Sequence, residues 1–380
     1  MKICIIGGHL APALALLDYV PREWDVVFIG RKHVFEGDVG VSLEYQTITT
    51  KGITFYPLIT GRLQRKLTRR TFGSLPKISR GYMQSLIFLR KENPDVVVGF
   101  GGYLSLTVAL AARTLGIPVV IHEQTLQAGL ANRIIGRFAK HICISWESSR
   151  KYFPKKKIVL TGNLLRKALS ESFTETKKNG KTKEMQIYIT GGSAGAHAIN
   201  LLVEQSLPRL LEKYILIHQT GDAVEFGDYA RLSVQRSLLP DKLQKRYLLT
   251  KFIDPTDVGK IYAESDLVIG RSGVNTMTEL LITHKPCLLI PIPHGQRNEQ
   301  MDNAIFLKDQ GLATILPQEF ATAESFYQAI EDMIEKLDQF VAKKNLDMSL
   351  HLHAAEHLVQ LLQSDYEKET GEKPQTRTKE

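Results

Sequence analysis

This chain predicts an α/β fold of two doubly wound, Rossmann-like parallel-sheet domains facing a central cleft, and three observations carry that prediction. Apolar runs of strand length alternate with longer segments of helical pattern along most of the 380 residues, as repeated βα units do. Glycines gather where the apolar runs end: GGH after Lys2–Ile6, GGY after Asp95–Phe100, GGSAGA after Gln186–Ile189 and RSG after Leu267–Ile269. A polar stretch, SESFTETKKNGKTKEM, follows Arg166 and interrupts the series before it starts again.

The elements follow in order. Lys2–Ile6 is a buried strand, Pro12–Tyr19 begins a helix, Asp25–Ile29 is the next strand and Lys77–Glu92 a helix. The clearest βαβ unit is Asp95–Phe100, the Gly-Gly-Tyr loop, Ser105–Leu115 and Ile117–His122. The polar stretch reads as a linker or exposed loop. The second series then runs through Gln186–Ile189, KYILIHQTG, RYLLTKFI and DLVIG, with a helix from about Val274 and a strand at Pro286–Ile292. The expected domains are residues 1–163 and 164–346. A last helix at Asp347–Ser364 is placed to brace the first domain, and the charged tail 365–380 has little to bury and reads as disordered.

Composition narrows the function classes. Hydrophobic residues make up 43% and charged residues 23%, the balance of a soluble globular protein. The opening MKICIIGG turns polar too soon for a signal peptide and reads as a strand. The apolar stretch from Val96 to Ile121 is broken by Gly99, Gly101, Gly102, Arg113, Gly116 and Pro118, so it is a strand, a helix and a strand, and not a membrane span. Cys4, Cys143 and Cys287 are scattered in apolar surroundings without metal spacing, and read as buried thiols in a reducing compartment.

The net charge of +9 is partly local. Arg62, Arg65, Lys66, Arg69 and Arg70 recur at helical spacing on one face, beside Leu63 and Leu67. That face suits an anionic membrane surface or a polyphosphate, or is simply solvated. No groove-reading motif or aromatic platform accompanies it, so nucleic acid is not an expected partner.

The stretch DLVIGRSGVNTMTELLITHKPCLLIPIPHGQRNEQMDNA holds the strongest site signal. Two strand–loop–helix junctions would stand side by side at the carboxyl edge of a parallel sheet, where such folds bind ligands. Gly273 allows close backbone approach, and the following helix offers unpaired N–H groups and a positive dipole end. The combination suits a diphosphate, and Glu279 further along could take both hydroxyls of a ribose. Gln296, Asn298, Glu299, Gln300 and Asn303 offer groups suited to sugar hydroxyls, or form a polar helical turn. The GGSAGA loop, with Ser193, fits a phosphate or sugar against a helix N-terminus but is neither G-x-G-x-x-G nor a P-loop. His9, at the end of the first strand, is placed for a general base. His122-Glu123-Gln124-Thr125 ends another strand, where four successive polar residues should line the cleft. No carboxylate pair at glycosidase spacing is evident.

These pieces in this order resemble the MurG family, the N-acetylglucosamine transferases that complete lipid II. The matching stretches are PDVVVGFGGY, GIPVVIHEQ with AGLANR, GNLLR, TGGSAGA, HQTG, FID, RSGVNTMTE and QMDNA, collinear over about Met1 to Gly311. The resemblance implies a GT-B fold and inverting transfer from UDP-GlcNAc to a polyprenyl-diphosphate-linked muramoyl-pentapeptide, on the inner face of the cytoplasmic membrane. It implies donor contacts from Thr125, Arg166, Ser193, Val274, Asn275, Thr276, Glu279 and Gln300. Acceptor contacts would come from Gly7, Gly8, Gly101, Gly102 and Tyr103, and the base would be His9. A helix dipole can stabilise departing UDP without a tightly held metal. The chain also departs from the family: its first loop, Gly7-Gly8-His9, is shortened from GGTGGH, Thr125 replaces an asparagine, Glu299 a glutamine, and GNLLR replaces GNPVR. A related transferase with another UDP-sugar or a glycolipid or exopolysaccharide acceptor, or a non-catalytic GT-B scaffold, are the alternatives.

Overall fold

A computed structural model describes residues 1–33, 41–59, 69–175, 184–192, 195–221, 223, 225–293, 298–343 and 348–371, with backbone alone at 69–77 and 175. They divide into two compact units, Met1–Lys167 with Ser349–Glu380, and Ala168–Met348.

The first unit is built on β1 (Lys2–Ile6), β2 (Asp25–Gly30), β3 (Thr54–Pro57), β4 (Val96–Gly99), β5 (Val119–Glu123), β6 (His141–Ile144) and β7 (Ile158–Leu160). Its helices are α1 (Leu10–Leu17), α2 (Leu43–Thr50), α3 (Arg69–Glu92), α4 (Gly102–Thr114) and α5 (Leu130–Ile135). The sheet runs β3-β2-β1-β4-β5-β6-β7 with parallel pairing. β1 shows why such a strand is apolar throughout. Cys4 and Ile6 enter the core under α4, while Ile3 and Ile5 enter the opposite core under α1. Alternate residues face opposite sides of a sheet, and here both sides are covered. Each large side chain so buried contributes roughly 1.5–3 kcal/mol.

The second unit begins with α6 (Lys167–Glu175) and contains β8 (Gln186–Thr190), α7 (His197–Lys213), β9 (Ile215–Gln219), α8 (Asp228–Ser237), α9 (Asp241–Gln244) and β10 (Tyr247–Thr250). It continues through α10 (Pro255–Glu264), β11 (Leu267–Gly270), α11 (Val274–Thr283), β12 (Cys287–Leu289), α12 (Glu299–Asp309), β13 (Ala313–Ile315) and α13 (Ala323–Glu335). The order β10-β9-β8-β11-β12-β13 is again parallel throughout. β11 and β12 are neighbours, as the sequence predicts for the two adjacent junctions.

Two further helices follow, the short α14 (Ser349–Leu352) and the longer α15 (Ala354–Thr370). Ala354, Leu358 and Leu362 of α15 share the core of Ile3, Leu16 and Val98, so the C-terminal segment completes one face of the first sheet.

Two expectations are corrected. The charged tail does not start at Asp365, because α15 continues to Thr370. Its carboxylates find bases on the first unit: Lys140 Nζ lies 3.0 Å from Asp365 and 2.6 Å from Glu369, and His141 Nε2 lies 2.8 Å from Asp365. The start of the supposed linker is helical in α6. Phe173 meets Tyr262 edge-on at 5.8 Å, and Ser172 Oγ accepts the Gly259 N–H at 3.1 Å. A side chain at Gly259 would lie 2.3 Å from the Ser172 carbonyl, so this close packing depends on glycine. All three cysteines are buried and unbridged.

Candidate active site

In each sheet the strand order reverses at one place, between β1 and β4 in the first unit and between β8 and β11 in the second. Loops leaving the carboxyl ends of such strands splay apart and leave a crevice for ligand. Most residues singled out from the sequence sit on these two pairs of loops.

In the first unit, the turn after β1 carries Gly7, Gly8 and His9, and the turn after β4 carries Gly101, Gly102 and Tyr103. The structure brings them together. A Cβ built on Gly102 would stand 3.6 Å from His9 Cε1. Gly101 and Gly102 have φ of 94° and 79°, which only glycine adopts readily, and this lets α4 begin directly beneath the histidine. Ser105 Oγ donates to the Gly101 carbonyl at 2.6 Å and fixes the turn. The Arg31 guanidinium lies over the Tyr103 ring, 5.3 Å from its centre.

His9 occupies the N-cap position of α1 but makes no side-chain cap there; its ring hydrogen-bonds the Gly101 backbone instead. The protein packed around it disfavours the charged imidazolium and lowers its pKa below the ordinary histidine value. Glu123, Glu44 and a hydrogen bond to the Gly101 backbone oppose that shift, while Arg31 adds to it. The neutral form, able to take a proton, is therefore the resting state at neutral pH.

The glycines of the first loop behave differently from the expectation that they face an acceptor phosphate. Gly7 N–H donates to the Ile29 carbonyl at 2.8 Å, and Gly8 N–H donates to Glu44 Oε1 at 2.6 Å. Both amides are spent inside the protein.

The polar run at the end of β5 is also corrected. His122, Glu123 and Gln124 are all buried. His122 Nε2 pairs with the Gly162 carbonyl at 2.9 Å, and burial pushes its pKa down to about 4. Glu123 accepts from the Thr125 and Gly129 amides and from Asn132 Nδ2, at 3.1, 2.9 and 3.0 Å. This carboxylate organises the loop. The Thr125 hydroxyl lies 2.6 Å from both Glu123 Oε1 and the Gln127 carbonyl, tied into the same knot. Arg166 is ion-paired with Asp18 just past α1, inside the first unit, and a nucleotide contact from it has to compete with that pair.

In the second unit, Gly191, Gly192 and Gly195 shape the turn after β8. A Cβ on Gly191 would sit 2.2 Å from Ala196 N, and one on Gly195 2.2 Å from the Thr220 carbonyl. Ser193 lies outside the described residues, as do Arg62, Arg65, Lys66 and Gln296; Arg69 and Arg70 open α3.

The turn after β11 leads into α11 through Gly273, which has no side chain to cap the helix. Its φ of −64° is open to any residue, and a Cβ there would meet nothing within 4 Å. The fold itself thus makes no demand for glycine, whereas a ligand against the amides of Val274, Asn275 and Thr276 would. Gly273→Ala should change stability by no more than about 1 kcal/mol and weaken UDP binding about tenfold. Calorimetry beside a thermal melt checks this, and unchanged affinity would mean that no ligand comes close there.

Glu279, on the same helix, is half-buried, and not the solvated side chain that an ordinary βαβ unit would carry. Tyr262 Oη donates to its Oε2 at 2.9 Å, and among the described residues no hydrogen bond reaches Oε1. Burial pushes its pKa up to about 7, against the opposing pull of the tyrosine. Gln300, in the first turn of α12, accepts the Ile292 N–H at 3.0 Å through Oε1. Its backbone carbonyl takes the Ser272 hydroxyl at 2.6 Å, and Asn303 Nδ2 donates to the Ser272 carbonyl at 2.9 Å. Two turns are laced together in this way. Sequence reasoning missed Glu44 and Tyr262, since neither stands in a motif.

Comparison with known proteins agrees with this construction. Residues 6–144 match the Glycosyltransferase family 28 N-terminal domain and residues 186–361 its C-terminal domain. A UDP-N-acetylglucosamine–N-acetylmuramyl-(pentapeptide) pyrophosphoryl-undecaprenol N-acetylglucosamine transferase of Staphylococcus carnosus is 31% identical, over 98% of this chain and 99% of its own. One of the same name from Lawsonia intracellularis is 34% identical, over 91% and 90%. The crystal structure of Acinetobacter baumannii MurG is similar with a TM-score of 0.67 and 26% identity, covering 96% of this chain and 99% of that one. Two parallel-sheet units, matched in sequence from end to end, place this chain in glycosyltransferase family 28, among the GT-B transferases of the MurG group.

Proposed function

We propose that the protein is an inverting glycosyltransferase that moves GlcNAc from UDP-GlcNAc to a polyprenyl-diphosphate-linked muramoyl-pentapeptide, converting lipid I to lipid II. The observation that carries the reading is the pairing of two unlike switch points in one family 28 chain. One holds a histidine kept neutral beside a glycine turn. The other holds an uncapped helix start followed by a half-buried carboxylate.

The chemistry assigns each part a task. The acceptor hydroxyl attacks the anomeric carbon of GlcNAc, and its proton passes to the unprotonated ring nitrogen of His9. The bond from that carbon to the β-phosphate oxygen breaks, its electron pair leaves with UDP, and the configuration inverts. Charge that develops on the diphosphate is met by the amides of Val274, Asn275 and Thr276 and by the α11 dipole. Prearranged dipoles of this kind act without a resident metal. Glu279 takes the ribose hydroxyls and the Gln300 amide the sugar hydroxyls. With the Gly7 and Gly8 amides already used, the acceptor's diphosphate falls to the turn of Gly101, Gly102 and Tyr103, with Arg31 alongside.

The full-length likeness to transferases named for this donor and acceptor favours this reading over another UDP-sugar or a silent scaffold. Among the described residues no helix is long and apolar enough to cross a membrane. The spacing of Arg62, Arg65, Lys66, Arg69 and Arg70 in the sequence supports peripheral docking on anionic lipid. A donor screen with purified protein tests both parts, using a lipid-diphosphate sugar acceptor in anionic or neutral vesicles. UDP-GlcNAc should be used over other UDP-hexoses, and turnover should be faster on anionic vesicles. Preference for another hexose would overturn the substrate, and equal rates on both vesicles the docking.

A further inference from the structure

We propose that Glu44 is a positioning residue for the transfer reaction, its carboxylate seated inside the turn after β1 so as to fix the backbone that presents His9. The inference rests on the reading of His9 as the base.

Four observations converge on it. Glu44 is only 9% exposed, although it belongs to the short polar helix α2. A carboxylate so buried is costly unless hydrogen bonds compensate it, and here the Gly8 N–H reaches Oε1 at 2.6 Å and the Arg31 N–H reaches Oε2 at 2.9 Å. One side chain thus ties the end of β1 to the end of β2. Glycines at the ends of both strands make the space for it: a Cβ on Gly7 would lie 2.3 Å from Oε1, and one on Gly30 2.6 Å from Oε2. Neither glycine has a positive φ, so room for this carboxylate, and not backbone conformation, is what these positions require.

The helix that delivers Glu44 is itself clamped. Ser42 Oγ donates to the Arg31 carbonyl at 2.6 Å and accepts the Tyr45 N–H at 3.1 Å, while Ser42 N–H donates to the Lys32 carbonyl at 2.7 Å. Glu44 is held from behind and holds Gly8 in front. His9 follows directly, and its placement rests on this backbone together with the hydrogen bond of its ring to the Gly101 backbone. An internal anion occupies the Gly8 amide, a donor that a glycine loop otherwise offers to a phosphate. Its charge also favours the imidazolium that forms when His9 takes the proton. Glu123 and the Gly101 carbonyl act in the same sense and Arg31 against it.

The test compares Glu44→Gln and Glu44→Asp with the wild type. Glutamine keeps the shape but loses the charge and turns an NH2 toward one of the two amides. It should lower kcat by about 10–100-fold, the cost of a small misplacement of a reacting group. UDP affinity should stay within about twofold, and the acid limb of kcat/KM for the acceptor, measured with donor saturating, should move to lower pH. Aspartate keeps the charge but is too short to span both amides; it should lower kcat with the limb close to the wild-type position. A purely structural glutamate would leave the limb in place. Full turnover in a folded Glu44→Gln, or in Glu44→Asp should the glutamine variant not fold, overturns the proposal. If His9→Ala is inactive while both Glu44 variants run at full rate, His9 stands and Glu44 falls. If His9→Ala is itself fully active, the assignment of the base fails first.

Discussion

Replacing His9 with alanine is expected to lower kcat by about 10²–10⁴-fold, the range for loss of a positioned general base, while UDP affinity remains where it was. The split follows from location. His9 is on the turn after β1 of the first unit, and the residues assigned to the donor's diphosphate and ribose belong to the second. An interaction realised only in the transition state appears in turnover and not in ground-state binding. The pH profile sharpens the test. Because its pKa lies below the ordinary histidine value, kcat/KM for the acceptor, measured with UDP-GlcNAc saturating so that donor binding does not contribute, should be level through neutral pH. It should fall tenfold per pH unit only once His9 becomes protonated, below about 6.5. His9→Ala should lose that limb along with the rate. A variant that keeps wild-type turnover, or keeps the limb, would remove His9 as the base.

The path from sequence to site was legible where chemistry and local pattern coincide. The run KICII shows both of its faces buried, and the order of strands then makes β1 and β4 neighbours. Two glycine turns more than ninety residues apart thereby meet beside His9. The RSG turn and α11 were equally readable, since Gly273 marks an uncapped helix start on its own.

What stayed hidden depends on partners distant in the chain. Glu44 is 36 residues from Gly8, and as a Glu one place into a helix behind Ser42 it has the look of ordinary capping chemistry. The run His122-Glu123-Gln124-Thr125 reads as lining the cleft because four successive polar residues seem too many to bury. The fold instead satisfies Glu123 with amides from its own loop and with Asn132. Arg166 reads as a nucleotide contact from its motif, yet its partner Asp18 stands 148 residues earlier. Polar residues declare that they need partners, but sequence does not say whether protein or ligand supplies them. The same limit explains the helix in place of a linker: Ser172 and Phe173 are unremarkable until Gly259 and Tyr262 arrive from α10.

Glu279 gives the second large effect, and its pH dependence separates a ligand-binding carboxylate from a structural one. Burial outweighs the Tyr262 hydrogen bond and sets its pKa at about 7, so near neutrality a sizeable share of the unliganded protein carries it protonated. Two ribose hydroxyls donate hydrogen bonds, and the species that accepts both is the carboxylate. Binding therefore drives the proton off. The sign is fixed: affinity for UDP-GlcNAc should be full above about pH 8 and fall as pH drops through 7, approaching tenfold per unit below it. Both phosphates of this donor are esterified and do not titrate in that window, so the slope reports the protein. Calorimetry at pH 7 in buffers of different ionisation enthalpy should show about half a proton released per donor bound. Glu279→Gln should weaken binding at pH 8 by about 1–3 kcal/mol and abolish both the slope and the proton release. Tyr262→Phe supplies the independent check. Its hydroxyl stabilises the ionised form, so removing it should carry the midpoint of the affinity curve to higher pH while Glu279 remains in place. A flat affinity profile in the wild type, or an unmoved midpoint in Tyr262→Phe, would show that the ribose is held by other groups and that Glu279 only packs the helix.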